Sequence, residues 1–95
     1  MITDVFVVYN NEGQIKRIKE VDIPNFPFFT FINENSNKGR KEAFALKGHW
    51  SARMTPFALC LNKETPVKAF YSETGEDVIK SLINYLNDEQ NNIYS

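Results

Sequence analysis

Cysteine is nearly absent from this chain, which holds one among 95 residues, Cys60. A single thiol excludes an intrachain disulfide framework, a CxxC redox pair and a zinc site built from cysteines. Histidine is as sparse: His49 stands alone, with no second imidazole to share a metal. Charge of one sign is missing too. The net charge is −1, so nothing global points to nucleic acid or to an anionic membrane surface. No Asn-x-Ser/Thr sequon and no internal repeat occur. Long hydrophobic runs are also lacking. The opening Met1-Ile2-Thr3-Asp4 carries acid early and the apolar run behind it stops at Tyr9, which reads as neither a signal peptide nor a membrane span. Reduced, cytoplasmic surroundings are therefore expected. No cofactor, metal or catalytic constellation announces itself.

What is present is apolar. The hydrophobic share is 42%, with eight phenylalanines, enough for a core and too much for a disordered chain. One domain over residues 1–95 is expected, near the small end of what a single core can stabilise. The polar stretch 88–95 is expected to fray, with Ile93 and Tyr94 as late anchors.

The organising stretch runs from Trp50 to Leu86. Pro56 opens an apolar run, Phe57-Ala58-Leu59-Cys60-Leu61, of the length and type of a buried strand. After the break Asn62-Lys63-Glu64-Thr65, a second run begins at Pro66 and continues through Val67, Lys68, Ala69, Phe70 and Tyr71. So short a join forces antiparallel pairing. Each proline sits at the first residue of its strand, where a missing donor breaks no ladder bond. Val78, Ile79, Leu82, Ile83 and Leu86 then recur on one helical face. Thr74 or Ser72 can cap that helix, and Glu76 and Asp77 suit its first turn.

The order Trp50-Ser51-Ala52-Arg53-Met54-Thr55-Pro56-Phe57, a strand, a tight turn, Pro66-Val67-Lys68-Ala69-Phe70 and a closing helix resembles the C-terminal half of thioredoxin-like domains. The resemblance covers about half the chain. It implies a cis peptide bond before Pro56, a terminal β-hairpin and a last helix packed on the sheet. It also implies a site beside the cis proline. In the family a nucleophilic cysteine follows the first strand at a helix N-terminus, where the dipole favours thiolate. The matching positions here are Asn10, Asn11, Glu12 and Gly13. None is a thiol, so the resemblance implies a degenerate domain without the redox activity.

The remaining elements fit that frame. Asp4-Val5-Phe6-Val7-Val8-Tyr9 reads as a central strand buried on both faces. Residues 14–21 admit two readings. Ile15, Ile18 and Val21, with Asn11 as cap and Gln14 three residues on, suit a crossover helix. Asn11-Glu12-Gly13 as a turn, followed by β-branched residues, suits a returning strand. Pro24 and Pro27 end what precedes them, and Phe28-Phe29-Thr30-Phe31-Ile32 reads as a strand apolar on both faces. If one face is open, Phe26, Phe28, Phe29 and Phe31 form a patch for a partner. Ser36 or Asn37 can cap a helix from about Lys38 to His49, on which Ala43, Phe44, Leu46 and Lys47 give a rough stripe. The expected fold is α/β: a mixed sheet of about four strands flanked by two to three helices.

Candidate sites follow. Cys60, inside an apolar run, reads as a buried side chain. Lys38, Arg40 and Lys41 at a helix start suit either an anion site or a solvated loop with the helix beginning nearer Lys41. The first functional expectation is a non-catalytic module that contacts another protein, with homo-oligomers possible. The resemblance implies that Thr55 offers its backbone N–H and C=O to an extended peptide, that Pro56 sets the geometry, and that Tyr9, Asn10 and Asn11 form the facing wall. Trp50 admits two readings, a core side chain or, at a helix end, the rim of that groove. The second is an enzyme using non-thiol chemistry in the same groove, with Glu12, Arg53 or His49 as candidates. The Asn-, Lys-, Ile- and Phe-rich composition and the missing active site also resemble thioredoxin-like accessory proteins of bacteriophages, which implies a host cytoplasm or a virion.

Overall fold

Strand β1 (Asp4–Tyr9) carries apolar side chains on both of its faces and lies inside the sheet. Val5 and Val7 enter one core layer, while Val8 and the half-buried Phe6 enter the other. The computed structural model describes residues 1–91. Its order is β1, α1 (Glu12–Glu20), β2 (Phe28–Asn33), α2 (Asn37–His49), β3 (Phe57–Asn62), β4 (Thr65–Phe70) and α3 (Val78–Asn91). The sheet order is β2-β1-β3-β4, with β1 parallel to β2 and both other pairs antiparallel. This is an α/β fold with a mixed four-stranded sheet and three helices, consistent with the thioredoxin-like arrangement expected above. Helices α1 and α3 cover the layer of Val5, Val7, Ala58 and Cys60. Helix α2 covers the layer of Val8, Ile32, Phe57 and Leu59. Among the described residues no helix is long and apolar enough to cross a membrane.

Residues 14–20 are helical, with Val21 as the extended C-cap, and do not form a returning strand, because β1 and β2 run parallel and need a crossover between them. Ile15 and Ile18 form the buried face of α1, and Asn11 caps it by accepting from the Gly13 N–H at 2.8 Å. Gln14 completes the cap one residue earlier than a capping box would, accepting from the Asn10 N–H at 3.0 Å.

β2 is not buried on both faces. It is an edge strand, and on the α2 side protection fades along it from Ile32, 7% exposed, to Phe28, 71% exposed. Phe29 and Phe31 stack at 5.7 Å against the other layer, half-buried, and Phe26 lies exposed beside Phe29. On α2 the buried positions are Gly39 and Ala43, with Leu46 and Trp50 continuing that face. Phe44, expected on this stripe, points outward because it sits one position (about 100°) round from Ala43.

The β3–β4 hairpin closes through two residues, Lys63 and Glu64, both left-handed at φ 47° and 73°. That is the geometry of a type I′ turn, which favours Asn-Gly. Pro66 is the second residue of β4 and not the first; an edge strand tolerates it there. Replacing Lys63 with Asn and Glu64 with Gly removes the steric cost of two side chains in the left-handed region. The expected gain is about 1 kcal/mol, read as a rise in the urea midpoint at unchanged slope.

α3 extends further than expected. Its cap is Asp77, not Thr74 or Ser72: the Asp77 carboxylate accepts from the Lys80 N–H at 3.1 Å. The helix then continues to Asn91, so residues 88–91 are ordered, not frayed. The cause is Gln90, which is completely buried. Its Oε1 accepts from the Ile2 N–H at 3.1 Å, and its Nε2 donates to the carbonyls of Ile2 at 3.0 Å and Asn25 at 2.7 Å. Ile93 and Tyr94 lie outside the described residues.

Candidate functional site

The C-terminal end of β1, the N-terminus of α1 and the loop from α2 to β3 meet at one end of the sheet. Val8 pairs with Phe57 at the end of the antiparallel register, so the chain leaving β1 at Tyr9 and the chain entering β3 from Pro56 lie at the same end of the sheet. The Thr55–Pro56 peptide bond is cis. A groove of about 430 Å3 runs here, lined by Asn10, Asn11, Arg17, Pro56, Glu76 and Asp77, among others.

The loop that carries Thr55 is set by how α2 ends. Ala52 N–H donates to the Lys47 carbonyl at 2.8 Å and Ser51 N–H to the Gly48 carbonyl at 3.1 Å. These are the two bonds of a Schellman motif, with Ser51 at φ 55° in the position that glycine usually holds. Lys47 then grips the loop: its Nζ donates to Thr55 Oγ1 at 2.7 Å and lies 3.4 Å from Glu34 Oε1.

Of the expected wall, Asn10, Asn11 and Pro56 share the groove. Tyr9 does not line it. Its ring packs half-buried toward the α1–α3 layer and its hydroxyl donates to Glu12 Oε1 at 3.4 Å. Burial first, then the Glu12 carboxylate, holds that hydroxyl above its ordinary value. Trp50 takes the core reading and not the rim. As the residue closing α2 it packs half-buried against the second core layer, with the His49 ring edge-on at 5.5 Å. An aromatic-x-x-Arg pattern cannot reveal this, because a residue at a helix end faces core or rim according to the angle at which the helix docks.

Asn10 has no backbone groups to spare. Its N–H donates to Gln14 Oε1, and its carbonyl accepts from Asn35 Nδ2 at 3.1 Å. Asn11 spends its side-chain oxygen on the α1 cap. The position that would hold a nucleophile thus holds a helix cap. Thr55 differs: among the described residues neither its backbone N–H nor its C=O meets a hydrogen-bond partner, and the residue is half-buried.

The residues weighed for non-thiol chemistry do not converge. Glu12 lies at the start of α1, His49 at the end of α2, and Arg53 lines two other grooves that contain neither. Cys60 is buried at the centre of β3, its thiol pushed up to about 12 by burial. Among the described residues no three His, Cys, Asp or Glu side chains cluster to hold a metal.

The basic cluster also splits. α2 begins at Asn37, not nearer Lys41, with Ser36 as cap: its Oγ accepts from the Gly39 N–H at 2.8 Å and donates to the Asn33 carbonyl at 2.9 Å. The helix terminus is thus served by its own side chain. Lys38 faces a groove beside Phe31 and Asn33, Arg40 faces a different one beside Ala43 and Phe44, and exposed Lys41 lines neither.

Glu76, on the groove's far wall, is the feature the sequence did not single out as a site. Its signal was present in Ser72 four residues earlier. The buried Ser72 hydroxyl donates to the Glu76 carboxylate and accepts from the N–H groups of Gly75 and Glu76. That hydroxyl, the backbone amides of Glu76 and Thr74, and the Thr74 hydroxyl together lower the carboxyl from 4.5 to about 2. The folded value lies below the unfolded one, so the loop is held in full above pH 4.5 and released as pH falls toward 2. A carboxyl-carbon NMR titration should place the Glu76 midpoint near 2, and Ser72→Ala should move it upward. Arg17 reaches the neighbouring Asp77 at 2.9 Å and joins α1 to the start of α3 across an exposed surface.

Comparison with family models, with curated proteins and with solved structures finds no match for this chain.

Proposed function

We propose that this chain is a thioredoxin-like domain without thiol chemistry, working by contact with another protein as an accessory module. The observation that carries this reading is Thr55, whose backbone N–H and C=O meet no partner among the described residues and which directly precedes Pro56 in the groove wall. An extended segment of a partner pairs with those two groups as an added strand. The cap formed by Asn11 where a nucleophile would stand, and a thiol shut inside β3, support contact over catalysis. The asparagine-, lysine- and phenylalanine-rich composition supports a place among bacteriophage accessory proteins, in the host cytoplasm or the virion.

Two measurements test the reading. Neither the native protein nor Cys60→Ser should turn over a disulfide substrate; turnover that vanishes in the variant overturns the assignment. Selection from displayed extended peptides should yield ligands that perturb Thr55 and Asn11. Thr55→Pro, which deletes the donor N–H, should weaken those ligands about tenfold. Ligands indifferent to that change would sink the strand-addition geometry.

A further inference from the structure

Charge is segregated on this molecule. Between residues 37 and 53 five cations, Lys38, Arg40, Lys41, Lys47 and Arg53, stand against Glu42 alone, giving +4. The whole chain carries −1, so everything else carries −5. On the outer side of α2, Phe44 is 82% exposed, the most exposed of the large apolar side chains among the described residues. A single exposed phenylalanine is ordinary, but this one rims a groove of about 320 Å3. The floor is Ala43 and Ala52, and the cations at its edge are Arg40, Lys47 and Arg53. Arg40, Phe44 and Gly48 lie four residues apart in turn, one above the other on the same helix face.

Gly48 supplies a separate observation. It has no positive φ, and nothing lies within 4 Å of where its Cβ would be. The left-handed position at the helix end belongs to Ser51 instead. A glycine in a helix interior costs about 0.5–1 kcal/mol relative to alanine, and here no backbone need explains it. Its effect is to leave open space beside the Phe44 ring. The groove also meets, at Arg53, a second one lined by Met54 and Tyr71, which runs along the loop that carries Thr55.

The geometry points to a second contact surface on α2: the groove between Phe44 and Arg53 takes an aliphatic side chain from an acidic segment of the partner protein, and Arg40 and Arg53 pair with the flanking carboxylates. This rests on the reading of the chain as a protein-contact module and adds the partner's chemistry. The Glu34 carboxylate at the inner edge, already beside Lys47, disfavours a phosphate backbone at the groove's centre. The apolar floor favours a side chain over a sugar or a headgroup. Lys38 and Lys41 lie off the groove and act only through long-range attraction.

The test uses the full chain and a synthetic peptide with one leucine flanked by aspartates and glutamates. Binding should saturate and weaken with salt, with amide shifts centred on Arg40, Phe44 and Arg53. Phe44→Ser and Arg40→Glu change exposed side chains and should each cost about tenfold or more in affinity. Gly48→Leu fills the groove while favouring the helix, so it should abolish binding in a protein at least as stable as the native one. Absence of saturation, equal binding of the same peptide with asparagine and glutamine for its acids, or full binding by Gly48→Leu overturns the proposal. So does displacement of the peptide at lower concentration by phosphatidylserine vesicles or a single-stranded oligonucleotide, or a Phe44-dependent dimer of the protein alone. Shifts at Asn11 and Thr55 with α2 unmoved would leave the Thr55 reading standing and remove this one. Shifts on α2 that persist in Thr55→Pro would support this surface and leave the Thr55 reading to its own displayed-peptide test.

Discussion

Replacing Gln90 with alanine should lower stability by about 3–5 kcal/mol, since each buried polar group left without a partner costs roughly 1–3 kcal/mol. Two such groups depend on this side chain, the N–H and carbonyl of Ile2, and its Nε2 also donates to the Asn25 carbonyl. Ile2 is itself only 2% exposed, so water cannot replace what is lost. The midpoint of thermal unfolding should fall by roughly 12 °C or more. Gln90→Glu separates donor from acceptor. The carboxylate still accepts from the Ile2 N–H but faces two carbonyl oxygens, so that variant should lose stability as pH rises and recover part of it in acid, where a protonated carboxyl donates once. A loss below about 1 kcal/mol for the alanine variant would mean that α3 is not anchored by this residue.

Gly39→Ala should be the second most damaging of the changes considered. A Cβ at this position would stand 2.1 Å from the Asn33 carbonyl oxygen and 2.8 Å from Ser36 Oγ. The first is backbone at the end of β2, held by the Ser36 N–H and hydroxyl, and cannot step aside. Alanine favours a helix over glycine by about 1 kcal/mol, yet pushing the start of α2 off the sheet and breaking its cap outweighs that. The expected net loss is about 2–3 kcal/mol. Gly48→Ala in the same helix meets open space and should stabilise by about 0.5–1 kcal/mol. Chemical denaturation of the two variants side by side reads both signs; two equal effects would contradict the close approach at Gly39.

Much of this architecture was legible before any coordinates. The hairpin of β3 and β4 and the spacing of Val78, Ile79, Leu82 and Leu86 are local signals, and both elements occur where those signals lie. Residues 14–21 were ambiguous because Gly13 and the β-branched side chains satisfy both periods; only the parallel partner β2, some fifteen residues away, decides for a helix. The exposure of Phe28 depends on β2 being an edge, a property of the sheet and not of the strand. Gln90 was hidden more deeply. A polar residue in a polar stretch reads as tail, and its partner Ile2 is 88 residues distant. At the groove, Asn10, Asn11 and Pro56 lie together as the resemblance implies, whereas the packing of Tyr9 and Trp50 depends on helix docking angles that no spacing encodes. The Phe44 groove was missed because an amphipathic stripe only roughly regular cannot say which of two adjacent residues, Ala43 or Phe44, turns inward.

The Gln90 clamp has a bearing on how the chain is made. β1 is synthesised before its antiparallel neighbour β3, which follows about fifty residues later, and the side chain that fastens Ile2 comes later still. A nascent chain halted before residue 90 therefore has its earliest strand translated but not secured. Such a ribosome-bound fragment should be open to proteases at β1 until the last turn of α3 emerges.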